Sequence, residues 1–335
     1  MNFEQYIPIP ISGIVAGNNC ILTATHNITK QSEYNLSEVD LFILASGFNI
    51  RYYYDFCSIG KLSGDFFDNL EKATSIHINL LRKDYEGITS NDMARVLAGG
   101  NIILLLVDTK NLRYSSIYSS NDNRQHVIML NGLSLTRKCA HIIDPHLTDY
   151  SGTPSVHTAV IPLEEVMSAT YAYAWFDFDK RKEFTKAEIW KIAHKEFDSF
   201  LRGSEEDEYA EGLAAIRCFV ADIHRLESLD DNLLTTVCKD INYSIKIKSV
   251  NYINRYMIDI INESSIDHGQ NYCKLTESIK DHTSSWEKLG LSILRVGISK
   301  RRRSLLDIQE KGIALFESQR AVYNEFANYL RELTV

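Results

Sequence analysis

The pattern of apolar and polar residues divides the chain into a mixed first half and a helical second half. Before about residue 165, segments with helical spacing alternate with short apolar runs that are typical of buried strands, such as residues 101–107. Beyond Ala169, nearly every segment has apolar residues at three- and four-residue spacing. We therefore predict an α+β domain over residues 1–165 and an all-helical domain over residues 166–335.

Within the first half, the spacing predicts a helix over residues 20–30, a second helix that begins at Ser37, and further helices over residues 66–82 and 90–98. The first helix opens with Cys20, and Asn18 or Asn19 before it can act as the N-cap. Its predicted buried face consists of Ile21, Ala24 and Ile28.

Residues 125–146 predict an antiparallel hairpin, because two apolar runs flank a short polar loop. With a turn centred between Leu135 and Thr136, His126 lies opposite Asp144 and Pro145. Pro145 is expected to end the second strand, since proline has no N–H to donate to a neighbouring strand.

Composition and charge narrow the class of protein. The 335 residues are 44% hydrophobic, enough for a substantial core, and no apolar run approaches the length of a membrane span. Residues 1–12 lack the basic and apolar regions of a signal peptide, so we expect a cytoplasmic protein without membrane attachment. A net charge of −8 disfavours nucleic acid as a partner.

The six cysteines have no CxxC spacing, which argues against a zinc site and against a disulfide framework. Most are expected to be small buried residues, and Cys20 on composition alone would be one of them. A metal site is a weaker alternative, because His141 and Asp144 would point to opposite faces of one strand. Its candidate ligands are His126, His141, Asp144, His146 and His157.

The position of Cys20 at a helix start changes this interpretation. The helix dipole and the free N–H groups of the first turn favour a thiolate and offer half of an oxyanion hole. His126 can then act as the base, and Asp144 can orient its imidazole. The sequence therefore predicts a catalytic triad of Cys20, His126 and Asp144, with no metal.

These features, in this order, resemble the papain-like peptidase C39 group. They resemble more closely the family named for the N-terminal domain of the butirosin-biosynthesis H protein. The likeness extends from about Ser12 to Ala169 and includes residues 35–53, with Leu-Ser-Glu followed by an apolar stretch, and the Val-Asp block that leads to Tyr114. Its closing segment is Ile161–Ala169.

The resemblance implies a papain-like, C39-like domain that transfers an acyl or peptidyl group from a carrier-protein thioester to an amine. Amide synthetases of the closthioamide type are similar, with a diamine or an amino sugar as acceptor. No cofactor is implied beyond the phosphopantetheine arm of the carrier. Where papain-like proteins have an oxyanion glutamine, this chain has residues 13–16, Gly-Ile-Val-Ala, so the second oxyanion donor stays open between Asn18, Asn19 and a backbone N–H.

An acidic carrier protein needs a basic surface on this acidic chain. The densest positive cluster is the candidate docking site, although such a run is also typical of a solvated helix face. It consists of Lys300, Arg301, Arg302 and Arg303. An aromatic run between Tyr171 and Phe178 can line an acyl tunnel or belong to the core.

Two other functions fit the same residues. The triad would also serve a C39-like cysteine peptidase, because both reactions pass through an acyl-enzyme. Alternatively, the chain is a non-catalytic binding module in which Cys20 belongs to the core. Acyl transfer from a carrier thioester to an amine, compared with cleavage of a peptide, distinguishes the three functions.

Overall fold

The computed structural model describes residues 8–32, 34–55, 57–61, 65–119, 124–148, 153–268 and 272–334. The chain forms two compact units, each built from two segments. Unit 1 combines the residues up to Leu41 with Leu70–Glu183, and unit 2 combines Phe42–Asn69 with the residues from Phe184 onward. Residues 1–7, which carry most of the signal-peptide argument, lie outside the described residues.

The helices follow one another along the chain, with 3₁₀ turns at Thr109–Asn111, Ile223–Ser228 and Arg302–Ser304. They are α1 (Cys20–Gln31), α2 (Glu38–Leu44), α3 (Asp65–Thr74), α4 (Lys83–Glu86), α5 (Ser90–Ala98), α6 (Ser116–Ser119), α7 (Leu163–Ala169), α8 (Lys186–Arg202), α9 (Gly212–Ala221), α10 (Asp231–Ile247), α11 (Val250–His268), α12 (Cys273–Ser299) and α13 (Leu305–Glu332).

The strands form one antiparallel sheet in each unit. They are β1 (Arg51–Tyr53), β2 (Ser58–Gly60), β3 (His77–Arg82), β4 (Ile103–Asp108), β5 (Gln125–Ser134), β6 (Cys139–Thr148), β7 (Pro154–Pro162), β8 (Thr170–Asp177), β9 (Ser204–Glu205) and β10 (Tyr209–Glu211). Unit 1 has the order β3-β8-β4-β5-β6-β7, and unit 2 has β2-β1-β10-β9. The chain is thus of mixed α and β structure, as predicted.

The helix α1 confirms the prediction over residues 20–30 and packs against β5 and β6. Its burial is not one-sided: Leu22 is fully buried, Ile21 only partly, and Thr25 and Asn27 are buried as well. A helix that is buried nearly all round must satisfy its polar side chains internally. Asn27 does so by hydrogen bonds to the Val15 backbone.

The hairpin of β5 and β6 is confirmed, with two differences. Its turn consists of the four residues between Ser134 and Cys139, so its centre lies one residue later than predicted. The register also shifts between Leu130 and Gly132, because the backbone and amide of Asn131 there pair with Ile9 instead. A bulge of this kind cannot be read from apolar alternation, since it adds one residue to one strand only.

Pro145 does not end the second strand as predicted. The strand β6 continues to Thr148, and its pairing with β7 is interrupted between Asp144 and Leu147. Proline is tolerated where a ladder is already irregular, because no donor is missing there. The irregularity therefore lies at the position of the predicted carboxylate.

The structure divides the chain differently from the predicted domains, residues 1–165 and 166–335. The strand β8 pairs with both β3 and β4 within the sheet of unit 1. Unit 2 also contains β1 and β2 from the first half, which pair with each other and, through β1, with β10. The prediction that the chain beyond Ala169 is all helical is therefore wrong, although α8 to α13 are helices.

The predicted helix over residues 66–82 is also shorter than expected. The helix α3 ends at Thr74, and Ser75 has a left-handed backbone with φ 58°. This conformation terminates helices and redirects the chain, which here enters β3 at His77. No helix in the described ranges is long and apolar enough to cross a membrane.

Candidate active site

Cys20 is the first residue of α1, and the residue before it is the N-cap. The Asn19 side-chain oxygen accepts hydrogen bonds from the backbone N–H groups of Ile21 (3.1 Å) and Leu22 (3.3 Å). The cap therefore uses two of the donors of the first turn. The backbone N–H of Cys20 is not one of them, which leaves it as the first-turn donor best placed for an oxyanion.

The segment before Cys20 is fixed along α1 by side chains of that helix. Gln31 Nε2 donates to the Ser12 carbonyl, Lys30 Nζ donates to the Gly13 carbonyl, and both hydrogen bonds measure 2.9 Å. Asn27 accepts from the Val15 N–H and donates to its carbonyl, again at 2.9 Å. Because these contacts repeat along the helix, they hold the backbone that leads into Cys20.

Gly17 lies where a side chain has no room. A Cβ atom there would overlap the Glu38 carboxylate and would lie 2.5 Å from Thr23 Oγ1. That carboxylate bridges the Asn18 backbone N–H and the Thr23 hydroxyl, each at 2.9 Å. The close approach explains the glycine three residues before Cys20.

We expect Gly17→Ala to destabilise unit 1 by about 1–3 kcal/mol, because the methyl group would displace the Glu38 carboxylate from both donors. Urea denaturation measures the change. Gly99→Ala is the matched control, since that glycine has an ordinary φ of −75° and more space around it. An equal effect for the two variants would contradict the packing argument at Gly17.

His126 lies on β5, opposite Val107 of β4, and its side chain is only 10% exposed. Its Nε2 lies 2.9 Å from Asp144 Oδ1. Because a carboxylate only accepts, Nε2 carries the proton of this hydrogen bond, and Nδ1 is the nitrogen left for Cys20. The Cys20 side chain is close enough to His126 to contribute to the rise of its pKa. The three predicted residues are thus brought together in one chain of contacts.

The His126 pKa is raised above its usual value. Burial of the ring, the largest single cause, lowers it. This is outweighed by the negative charge of Asp144 and by hydrogen bonds with Asp144 and Cys20. His126 is therefore a cation at neutral pH, and an imidazolium stabilises a thiolate beside it.

Asp144 is fully buried and accepts from four donors. Its Oδ1 accepts from His126 and from the His146 backbone N–H (3.1 Å), and its Oδ2 accepts from the Tyr114 hydroxyl (2.8 Å) and the Tyr118 hydroxyl. Burial, the largest cause, raises the Asp144 pKa, but the charge of His126 and these hydrogen bonds lower it further, to below the usual value. Asp144 is therefore ionised and rigidly oriented.

The sequence predicts neither tyrosine as a site residue, and it indicates His146 only as a candidate metal ligand. Tyr114 belongs to the family block, and Tyr118 lies in α6. Residues 114–124 are a polar tract that predicts a loop, either at the border of the active-site cleft or as an exposed connector. The spacing of four residues between the two tyrosines is the one local signal that they share a face. Residues 120–123 of that predicted loop lie outside the described part of the chain.

His146 connects the Asp144 carboxylate to the segment that leads into Cys20. Its Nδ1 lies 2.6 Å from the Gly17 carbonyl oxygen, and its backbone N–H donates to Asp144. Its ring centroid lies 6.3 Å from that of His126. A single residue on β6 thus contacts the segments that carry Cys20 and Asp144.

Tyr171 is a further aromatic residue of the site. It is the first residue of the aromatic run on β8 and is half-buried. Its pKa is raised to about 12 by burial, followed by the charges of Cys20 and Asp108. The next two residues of that face are Tyr173, buried in the core of unit 1, and Trp175, packed against it. The run is therefore mostly core, with Tyr171 within electrostatic reach of Cys20.

The oxyanion assignment to Asn18 and Asn19 stays a prediction. The Asn19 oxygen is engaged as the cap, so only its Nδ2 group can serve as a donor. The Asn18 backbone N–H is already donated to Glu38.

The predicted docking cluster is partly used inside unit 2. Lys300 caps α12 in a left-handed conformation, and its Nζ donates to the Asp231 carbonyl and the Thr235 hydroxyl. Arg302 donates to the Leu229 carbonyl and to the Asp231 carboxylate, both at 2.8 Å. Arg301 and Arg303 are exposed. Two of the four cations are thus structural, and two face solvent.

The candidate metal ligands do not form one group. His141 Nδ1 lies 2.5 Å from Asn131 Oδ1, and His157 stacks on Tyr114. Across the described residues, no three His, Cys, Asp or Glu side chains are placed to hold a metal ion. None of the six cysteines, all of which are described, forms a disulfide, and only Cys238 is fully buried, so the expectation that most are buried is wrong.

No known family model and no curated protein matches this sequence. The resemblance to the butirosin-type family therefore stays a prediction. Any inference about the chemistry of the protein is drawn from the contacts around Cys20.

Proposed function

We propose that this protein is a cysteine-dependent acyltransferase with a papain-like, C39-like unit 1. It forms an amide by moving an acyl or peptidyl group from a carrier-protein thioester, through an acyl-enzyme at Cys20, to an amine. The observation that carries the proposal is the chain of contacts from Cys20 through His126 to a buried, ionised Asp144. A nucleophile, a base and an orienting carboxylate in sequence are what covalent acyl transfer requires.

Two features favour catalysis over a structural role for these residues. Burying an imidazolium and a carboxylate side by side is seldom the most stable way to fill a core. Here the carboxylate has four donors, while Cys20 at the end of the chain of contacts is partly exposed. The four donors thus fix the orientation of Asp144 and His126, while the Cys20 sulfur stays accessible to a substrate. This arrangement suits a reactive centre.

In the first half-reaction, the Cys20 thiolate attacks the thioester carbonyl. The backbone N–H of Cys20 and a second donor stabilise the oxyanion of the tetrahedral intermediate. As the intermediate collapses, the carbon–sulfur bond to the carrier breaks, and His126 gives its proton to the departing phosphopantetheine thiol. The acyl group is then joined to Cys20 as a new thioester.

In the second half-reaction, the amine attacks the acyl-Cys20 carbonyl. His126, now neutral, takes a proton from the nitrogen, and Asp144 stabilises the imidazolium that forms. The new carbon–nitrogen bond remains when the Cys20 thiolate leaves, which restores the starting state. The cycle consumes one thioester and one amine, releases one thiol and one amide, and needs no bound cofactor.

The proposed partners follow from this chemistry. The donor is an acyl or peptidyl carrier protein, and the acceptor is a small amine such as a diamine or an amino sugar. Arg301 and Arg303 are the exposed cations of the predicted docking cluster, so they are the ones that an acidic carrier can meet. We place the protein in the cytoplasm and expect no nucleic-acid or membrane partner.

The test is a direct comparison of acceptors. The protein is incubated with an acyl thioester of pantetheine, with and without a small diamine, and the products are separated by mass. We expect amide in the presence of the diamine. Release of only the free acid, together with cleavage of a supplied peptide, would support the peptidase instead. No turnover of either substrate would favour a binding module.

The His146 contact gives a prediction for the same assay. His146→Ala removes the hydrogen bond to the Gly17 carbonyl. We expect kcat to fall roughly 10–100-fold, because the segment that leads into Cys20 then moves relative to His126. His146→Asn should retain most of the activity, since its Nδ2 can donate from the position of Nδ1.

His146→Gln is the matched control, because its amide matches the position of Nε2 instead. Its activity should resemble that of the alanine variant. If the Ala, Asn and Gln variants were equally active, the contact with Gly17 would have no positioning role.

A further inference from the structure

A cavity in unit 2 is separate from the residues used in the proposed reaction. Its volume is about 260 Å³, and its walls come from the segment around Ser46 and from α8 and β10. A smaller pocket of about 10 Å³ adjoins it and shares Ser46, Asn49 and Asn69 as lining residues. The smaller pocket has room for about one oxygen-sized atom.

Lys61 lines the smaller pocket, and its ammonium group is buried. In the part of the chain that the structure describes, its Nζ has no hydrogen-bond partner. Its neighbours include two aromatic rings, with Nζ 5.6 Å from the Phe66 centroid and 6.0 Å from that of Tyr252. Aromatic faces stabilise a cation only partly, so a buried ammonium still requires an acceptor.

The nearby carboxylates are already engaged by another cation. Asp65 also lines the smaller pocket, but it pairs with Arg51 at 3.3 Å. Glu211 forms a second ion pair with the same guanidinium. Arg51 therefore holds Asp65 and Glu211, and among the described residues Lys61 has no ion pair of its own, while Glu196 lines only the larger cavity.

We propose that this cavity binds a small molecule through an anionic oxygen, from a carboxylate or a phosphate, that pairs with Lys61 Nζ. The oxygen occupies the smaller pocket, and the remainder of the molecule occupies the larger one. Asn49 and Asn69 line both spaces, so their amides can contact either part. The volume suits a metabolite smaller than a drug-sized ligand.

The pKa of Lys61 agrees with this geometry. Burial, the largest cause, lowers it to about 8, and the charge of Asp65 opposes the shift. A buried lysine gains more from a bound anion than an exposed lysine does, because the low dielectric constant around it strengthens the attraction between the two charges.

The test measures thermal unfolding of the full chain with inorganic phosphate or, separately, with acetate, against sodium chloride at equal ionic strength. We expect a saturable rise in the unfolding temperature with at least one anion, because a ligand that binds only the folded state stabilises it. The two arms distinguish the phosphate from the carboxylate. A rise that does not exceed that in chloride with either anion would overturn the proposal and would leave only an ordered water beside Lys61.

Lys61→Met is expected to weaken the anion effect at least tenfold. Lys288→Met is the matched control, because that lysine of unit 2 is exposed, and it should keep the wild-type response. A second variant, Asn49→Asp, places a carboxylate in the pocket as an internal counter-ion. It should raise the unfolding temperature without added anion and remove the response. Retention of the full response in Lys61→Met would also overturn the proposal.

Discussion

Replacing Cys20 with alanine is expected to abolish amide formation, with a fall in kcat of at least about 10⁴-fold. The reason is that the acyl group then has no nucleophile to join, and water or amine must attack the carrier thioester directly. The side chain is small and partly exposed, so the fold should be retained to within about 1 kcal/mol. Product formation and urea denaturation, measured on the same preparation, separate the two effects.

Cys273→Ala is the matched control for this loss. Cys273 is also the first residue of a helix, α12, and is an exposed thiol. It shares the helix-start position that first singled out Cys20 in the sequence. We expect full activity in this variant. If both variants lost activity equally, or neither did, Cys20 would have no special role.

Replacing Asp144 with asparagine is the second large expected effect. The His126 imidazole loses its buried counter-ion. The asparagine amide has one oxygen that can accept, so its NH₂ group must face donors that bound the second oxygen of the wild-type carboxylate. We expect kcat to fall about 10²–10⁴-fold and the free energy of unfolding to fall by roughly 2–4 kcal/mol.

The stability loss in Asp144→Asn should depend on pH. The His126 pKa is raised by folding, so its contribution is fully present below the unfolded value of about 6.5 and is lost as pH rises through the folded value. The Asp144 pKa is lowered, so its contribution is fully present above about 3.9 and is lost as pH falls through the folded value. The difference between wild type and variant should therefore be largest between about pH 4 and 6.5.

Asp198→Asn provides the comparison. Asp198 lies 3.4 Å from His194 but is 42% exposed, so its loss should change stability by no more than about 0.5 kcal/mol. Denaturation at pH 5.5 and in alkaline buffer measures both variants. A loss in Asp144→Asn that did not change with pH would show that His126 and Asp144 do not form an ion pair.

The pairing of His126 with Asp144 could be predicted because the register of a hairpin follows from local spacing. Even so, the turn lies one residue later than predicted, and the bulge at Asn131, which depends on contacts with Ile9, shifts the register a second time. The two residues still meet, because their side chains span the small difference in register. The pattern of a hairpin thus predicts which residues lie near one another more reliably than it predicts the exact register of the two strands.

Features that depend on distant segments could not be predicted in the same way. The hydroxyl groups of Tyr114 and Tyr118 reach Asp144 from outside the hairpin, and no local pattern indicates that contact. The strand β8 lies in a region predicted to be helical, and Ala172, Tyr173 and Ala174 are buried in succession, so its burial does not alternate. Residues 171–176 form a continuous apolar run, which by periodicity alone does not distinguish a strand buried on both faces from a buried helix segment.

The central claim, that Cys20 carries the acyl group, is tested most directly by the mass of the intact protein after brief exposure to an acyl-pantetheine thioester without amine. We expect the protein mass to increase by one acyl group, which peptide mapping locates at Cys20. The increase should disappear when a diamine is added and should be absent in Cys20→Ala. The same increase in Cys20→Ala, or an acyl group mapped to another residue, would contradict the central claim.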